Sequence, residues 1–242
     1  MPTPREGYRT KDGQKVPSVT TILGRFKDSG GLIKWAYKEG RTHENLAMRN
    51  LPAPAHLYDN VEKAALAGTI AHALVDAFIR DGSREGERFE STKEEYSTAL
   101  GEVKTRAWNA YQQFRKWLNS TRMKVFGHER QLVSEKHRFG GTPDADGYEP
   151  DAVAQDANGD YVLIDWKTSN KVYGEMIVQL AAYAILIEEV DGKVVKGAHL
   201  LRFAKETADF AHHYYGELER EKELFLLYRR AYDIAYAVEK RA

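Results

Sequence analysis

The stretch Tyr161-Val162-Leu163-Ile164-Asp165-Trp166-Lys167-Thr168 decides how the rest of the chain is understood. Its first four residues are apolar enough for a buried strand, and the run ends in an acid and a lysine two positions apart. In a strand, such residues point to the same face. Burying both is costly unless each finds a partner. Two arrangements meet that demand. One is an ion pair at a strand end; the other is a carboxylate holding a divalent cation, beside an ammonium that steadies a water or a charged transition state.

Working outward, Gln131–Arg138 and Thr142–Tyr148 have strand character and are joined by Gly140-Gly141, a pair suited to a tight hairpin. Asn158-Gly159 marks a second turn, feeding the Tyr161 strand. An apolar helix over Glu175–Glu189, a strand over Val194–Phe203, an edge strand over Ala211–Tyr215 and a charged helix over Glu217–Lys240 complete the C-terminal half. Upstream, residues 16–50 suggest two short helices broken at Ser29-Gly30-Gly31, the first capped by Ser18. Leu51-Pro52-Ala53-Pro54 is a linker, and residues 81–93 are polar and loop-like. Amphipathic helices are expected over Val61–Arg80 and about Glu94–Ser120. The pattern predicts an α/β (α+β) domain with a mixed sheet flanked by helices.

The chain has 242 residues, 42% hydrophobic and 30% charged, which suits one folded domain with an attached portion. No apolar run is long enough to span a membrane, and the start shows no secretory signal. Cysteine is absent, which excludes disulfides, thiolate zinc sites, iron–sulfur clusters and cysteine nucleophiles. A cytoplasmic location is expected. The zero net charge hides an asymmetry: residues 1–50 carry ten Lys/Arg against five acids. A polyanion would therefore be met by a local basic patch.

Further candidate residues stand at intervals. Asp144 follows Gly141-Thr142-Pro143, and Asp146 shares its face by the two-residue period, so either could act as a ligand. His72 lies in Gly68-Thr69-Ile70-Ala71-His72, where it either packs, pairs with Asp76 or binds a metal. Gln179 and Tyr183 are four apart on an otherwise apolar helix. The succession G-T-x-x-H, S-E, G-G-x-x-D, D-W-K-T and Q-L-x-x-Y resembles the RecB-type branch of the PD-(D/E)XK nuclease superfamily. Pro17-Ser18-Val19-Thr20-Thr21-Ile22-Leu23 and Leu32-x-x-Trp35 are also similar to phage-borne exonucleases and the mitochondrial genome maintenance exonuclease. The resemblance runs from about residue 16 to residue 205.

That resemblance implies a restriction-endonuclease-like mixed sheet, with an N-terminal helical DNA-contacting portion over 1–60 and a nuclease core over 61–242. It implies metal binding by His72, Asp144, Asp165 and the carbonyl of Trp166, and catalysis by Lys167 with the two acids. Glu135 falls where the family often has a glutamate, as a supporting or metal residue. Gln179 and Tyr183 support the site or contact DNA, Thr168 and Ser18 accompany the motifs, and Lys34 and Lys38 could track a DNA backbone. The implied cofactors are one or two Mg²⁺ or Mn²⁺ ions, His72 favouring Mn²⁺. The implied activity is DNA exonuclease cleavage of single strands or free ends in phage or bacterial recombination, repair or replication, with a recombination or replication protein as a possible partner. A double-strand-specific recombination exonuclease, a structure-specific endonuclease and an inert DNA-binding relative are the alternatives.

Overall fold

The computed structural model describes residues 7–27, 30–49, 59–80, 99, 101–121, 123–128, 130–148, 160–169, 171–203 and 209–241. In chain order the elements are β1 (Tyr8–Arg9), β2 (Lys15–Val16), α1 (Val19–Phe26), α2 (Gly30–Met48), α3 (Asp59–Arg80) and α4 (Gly101–Thr121). They continue with β3 (Lys124–His128), β4 (Leu132–Ser134), β5 (Phe139–Gly141), β6 (Ala145–Tyr148) and β7 (Tyr161–Thr168). The chain closes with α5 (Gly174–Asp191), β8 (Gly197–Phe203), β9 (Phe210–Tyr215) and α6 (Glu219–Glu239).

Five strands form one sheet in the order β3-β6-β7-β8-β9. β7 and β8 are parallel, because α5 crosses between them, and the other neighbours are antiparallel. β7 is buried along most of its length, and its side chains alternate between two apolar layers. Val162, Ile164 and Trp166 join Phe78, Tyr111, Phe114 and Trp117 of α3 and α4. Tyr161 and Leu163 join Ile22, Leu180, Leu186 and Phe225 of α1, α5 and α6. Because α5 lies under both α6 and the sheet, it is buried on nearly every side over Leu180–Ile187. Each such apolar side chain contributes about 1.5–3 kcal/mol, and Phe114→Ala would cost about 3–5 kcal/mol.

Local chemistry sets the ends of the elements. Ser18 caps α1, its Oγ accepting the amide of Thr21 at 3.0 Å. Gly192, at φ +66°, ends α5 in the left-handed conformation, its N–H donating to the Glu188 carbonyl. No helix among the described residues is long and apolar enough to cross a membrane.

The mixed sheet, its strands β7, β8 and β9 and the C-terminal helices agree with the sequence-based expectation, but the hairpin does not: β4 pairs with β5 in a separate two-stranded sheet. Gly140 and Gly141 are strand residues of β5, and the turn falls at Glu135–Arg138, with Arg138 at φ +55°. The glycines are there for lack of a side chain. A Cβ on Gly140 would lie 2.2 Å from the Tyr8 ring, and one on Gly141 would lie 2.8 Å from Tyr183. Moving the turn takes Glu135 out of the strand, where its carboxylate accepts the backbone amide of Lys11 at 2.9 Å. The two N-terminal helices are separate as expected, α1 ending at Phe26 and α2 starting at Gly30, but Gly30-Gly31 opens α2, which at 19 residues is not short. The β1–β2 hairpin and β3 were not anticipated. The expected Asn158-Gly159 turn, the 51–54 linker and the 81–93 loop lie outside the described residues.

Candidate active site

Asp144 enters from the segment between β5 and β6, Asp165 and Lys167 from the end of β7, His72 from the middle of α3, and Gln179 and Tyr183 from α5. Strand pairing sets Ala145 opposite Ile164, which carries the Asp144 side chain to the Asp165 end of β7. There an oxygen of the Asp144 carboxylate accepts the Trp166 backbone amide at 2.9 Å. Its other oxygen lies 3.7 Å from His72 Nδ1. Lys167 Nζ sits 2.5 Å from Asp165 Oδ2, while the buried Asp165 Oδ1 has no hydrogen-bond partner among the described residues. The ammonium and Oδ2 form an ion pair.

A cavity of about 310 Å³ opens on this cluster, with His72, Asp144, Lys167, Gln179 and Tyr183 in its walls. Asp165 lies behind Lys167 and is 1% exposed. Ser18, Val19 and Thr20 bring the first turn of α1 to the same cavity, and Tyr8 and Thr142 close one side, joined by a 2.8 Å hydroxyl hydrogen bond. The Gln179 amide donates to the Tyr183 hydroxyl at 2.8 Å.

Burial dominates the electrostatics. It pushes the Asp165 carboxyl up to about 7, against Lys167 and with help from Asp144. It raises Asp144 as well, again opposed by Lys167. Burial also acts to lower Lys167, but the two carboxylates outweigh it and hold the ammonium above its ordinary range. His72 is lowered to about 3 by burial and by the neighbouring Lys167, which leaves it neutral. Burial raises the Tyr183 phenol, which stays protonated and able to donate.

Two desolvated carboxylates with one oxygen unpartnered are a hard-oxygen donor set short of positive charge, and a divalent cation would supply it. Among the described residues, no three His, Asp or Glu side chains already surround a common point. Two groups stand in the way. Lys167 lies on Asp165, and the Trp166 indole N–H donates to His72 Nδ1 at 2.6 Å. The donor set fits a cation once these contacts ease.

Six of the expected residues thus meet at one place: His72, Asp144, Asp165, Lys167, Gln179 and Tyr183. Ser18 joins the cavity wall through its role as the cap of α1. Thr168 instead lies against α3, where a Cβ on Gly68 would come within 2.6 Å of its hydroxyl, so Gly68 is there to let strand and helix approach. Glu135 is held at the β4–β5 turn, away from the cavity. Lys38 is exposed on α2 and does not line the cavity. The side chains of Lys34 and Asp146 lie outside the described residues. Tyr8, Thr142 and the indole of Trp166 were missed. Tyr8 and Thr142 are 134 residues apart and carry no local signal. The Trp166 indole bridges to His72 across 94 residues, although the tryptophan itself was in view.

A search of curated proteins finds no match. Among solved structures, the chain is similar to an alkaline exonuclease, LHK-Exo, from Laribacter hongkongensis, at 13% identity over 73% of this chain and 97% of that one, with a TM-score of 0.33. The same exonuclease in complex with dAMP gives 15% identity over 74% and 95%, with a TM-score of 0.34. An exonuclease candidate from Eubacterium rectale gives 13% identity over 79% and 70%, with a TM-score of 0.43. The family model described as the PD-(D/E)XK nuclease superfamily matches residues 41–237, most of the chain. The chain therefore belongs to the PD-(D/E)XK nuclease superfamily.

Proposed function

We propose that this nuclease is a divalent-metal-dependent DNA exonuclease acting on single strands or free ends. The observation that carries this reading is the convergence of Asp144, Lys167 and His72 on one cavity, with Asp165 buried against Lys167. Asp144 and Asp165 would hold the cation, Mg²⁺ or Mn²⁺, with the Trp166 carbonyl and His72 as further donors. When bound, the cation neutralises phosphoryl oxygens, activates a water and assists the leaving alkoxide.

The chain's own groups divide the remaining work. Lys167, held cationic, orients the attacking water or offsets charge growing on the phosphoryl oxygens. Tyr183 takes a hydrogen bond from Gln179 and keeps its own proton to donate to a phosphate oxygen. The first amides of α1 have no intrahelical carbonyl to bond, and Val19 and Thr20 line the cavity. They present the positive end of the helix to an anion. The neutral His72 ring would offer its Nδ1 lone pair to a metal once the Trp166 indole released it.

In the same reading, residues 1–60 form a DNA-contacting portion, with Lys34 and Lys38 on its basic helix, and residues 61–242 carry the catalytic core. Recombination, repair or replication of phage or bacterial DNA is the setting such an activity serves. End-labelled single- and double-stranded oligonucleotides, incubated with Mg²⁺, Mn²⁺ or chelator, test the reading. Ladders growing from one end of a single strand, in metal only, are expected. Uniform internal cuts would replace exonuclease with endonuclease, and cleavage in excess chelator would remove the metal role.

A further inference from the structure

A second cavity, of about 700 Å³, adjoins the catalytic one and is more than twice its volume. Tyr8 and Ser18 line both. The Tyr8 ring lies flat enough on Gly140 to forbid a Cβ there, and its hydroxyl is tied to Thr142, so it forms a wall between the two spaces. On its far side the cavity runs between the β1–β2 hairpin and α6.

Its walls carry the cations Lys15, Arg138 and Arg229, the tyrosines Tyr8, Tyr232 and Tyr236, and the acid Asp233. Lys15 stands exposed on the hairpin with no ion pair among the described residues. Arg138, in the left-handed conformation at the β4–β5 turn, is bonded to Asp12 of the hairpin at 3.1 Å. Buried Arg229 donates to the carbonyls of His137 and Arg138 and pairs with Asp233, which fixes the turn against α6. Tyrosines supply the faces. Tyr232 has the guanidinium groups of Arg25 and Arg229 each 6.0 Å from its ring centre, and Tyr236 is 50% exposed. A cation beside an exposed aromatic ring is a means by which proteins hold unpaired nucleic acid, and Tyr236, with Lys240 Nζ 4.6 Å from its ring centre, offers that pairing. A base in a duplex has its faces covered by its neighbours, so stacking of this kind selects single strands.

We propose that this second cavity is a subsite for the unpaired nucleotides next to the scissile phosphate, with Tyr236 stacking on a base and Lys15 meeting the backbone. The assignment rests on the nuclease reading above and gives it a strand path: from the catalytic cavity, past Tyr8 and Ser18, into the channel between hairpin and α6.

The test is binding of a fluorescein-labelled decathymidylate, and of a blunt duplex of equal length, in EDTA. The variants are the parent, the double substitution Lys15→Ala with Tyr236→Ala, and Arg230→Ala, an exposed cation on α6 outside the cavity. Both residues of the double variant are exposed, so the fold should tolerate their loss. The double variant should lose about tenfold or more in single-strand affinity, with a shallower dependence on salt, and should leave duplex affinity unchanged. Arg230→Ala should bind the single strand like the parent. Parental single-strand affinity in the double variant, or equal losses for strand and duplex, would overturn the assignment. If the parent binds as expected and the double variant does not, yet no metal supports cleavage, the subsite stands and the nuclease reading falls.

Discussion

Two clusters of titratable groups, each centred on a buried side chain, lie on the same sheet, and only one of them is built as a site. At the end of β7, Asp144 and Lys167 open on a cavity, and behind them Asp165 has a carboxylate oxygen left without a hydrogen bond among the described residues. One strand over, His199 of β8 stacks on His212 of β9, their ring nitrogens 2.7 Å apart, with Trp117 and Tyr214 packed around them. His199 lines neither the catalytic cavity nor the channel beside it. Both clusters have burial-shifted pKa values: Asp165 is raised to about 7 and His199 lowered to about 4. Burial alone therefore does not mark a site. Space for a ligand and unmet demand for charge do.

The largest effect that could break this contrast is metal removal. Chelation should abolish cleavage while leaving the far-UV spectrum unchanged, and residual activity would place the chemistry elsewhere. Next comes Lys167→Ala, expected to lower kcat by about 10²–10³, the usual loss when one electrostatic group is removed from an active site. Turnover at the parent rate would reduce the β7 cluster to an ion pair like any other. Smaller again is Trp166→Phe, which keeps the ring packed against Phe114 but deletes the donor to His72. Because the indole N–H occupies the nitrogen that a metal would need, activity at limiting metal should rise a few-fold. An unchanged rate would make the indole contact incidental.

The least effect should come from the histidine pair, and in stability rather than rate. His199 and His212 are both lowered by burial, so between pH 6.5 and about 4 the folded protein binds fewer protons there than the unfolded chain. Their contribution is full above pH 6.5 and is lost as pH falls through that window. Asp165 has the opposite sign: its raised value makes the metal-free fold gain protons early, and that contribution is lost as pH rises toward 7. His199→Phe should thus flatten the acid side of the stability curve and leave cleavage near neutral pH alone. Denaturant midpoints from pH 4 to 7 measure it, and an unchanged acid slope would show that His199 adds nothing to that linkage.

The elements that were legible are those whose physics is local. An apolar run ending in D-x-K announces a buried strand with a charged tip, period-3.6 apolar spacing announces α3 and α4, and a long continuous apolar run announces α5. The Gly140-Gly141 pair misled because glycine has two uses. A tight turn needs its positive φ, whereas β5 needs its missing side chain under Tyr8 and Tyr183. That error carried Glu135 with it, since one displaced turn moves every residue around it. Thr168 went astray for a similar reason: its neighbour on α3, Gly68, is a hundred residues earlier.

By itself the sequence determined the residue types, their order and the alternation that sends Asp165 and Lys167 to one face of β7, because backbone geometry repeats every two residues in a strand. Only the tertiary structure decided which acid meets that pair, that the Trp166 indole faces His72, and that Tyr8 from the distant hairpin walls the cavity. Those contacts join positions 22 to 134 residues apart. Packing of two apolar layers on one sheet brings them together, and no local pattern records such a distance.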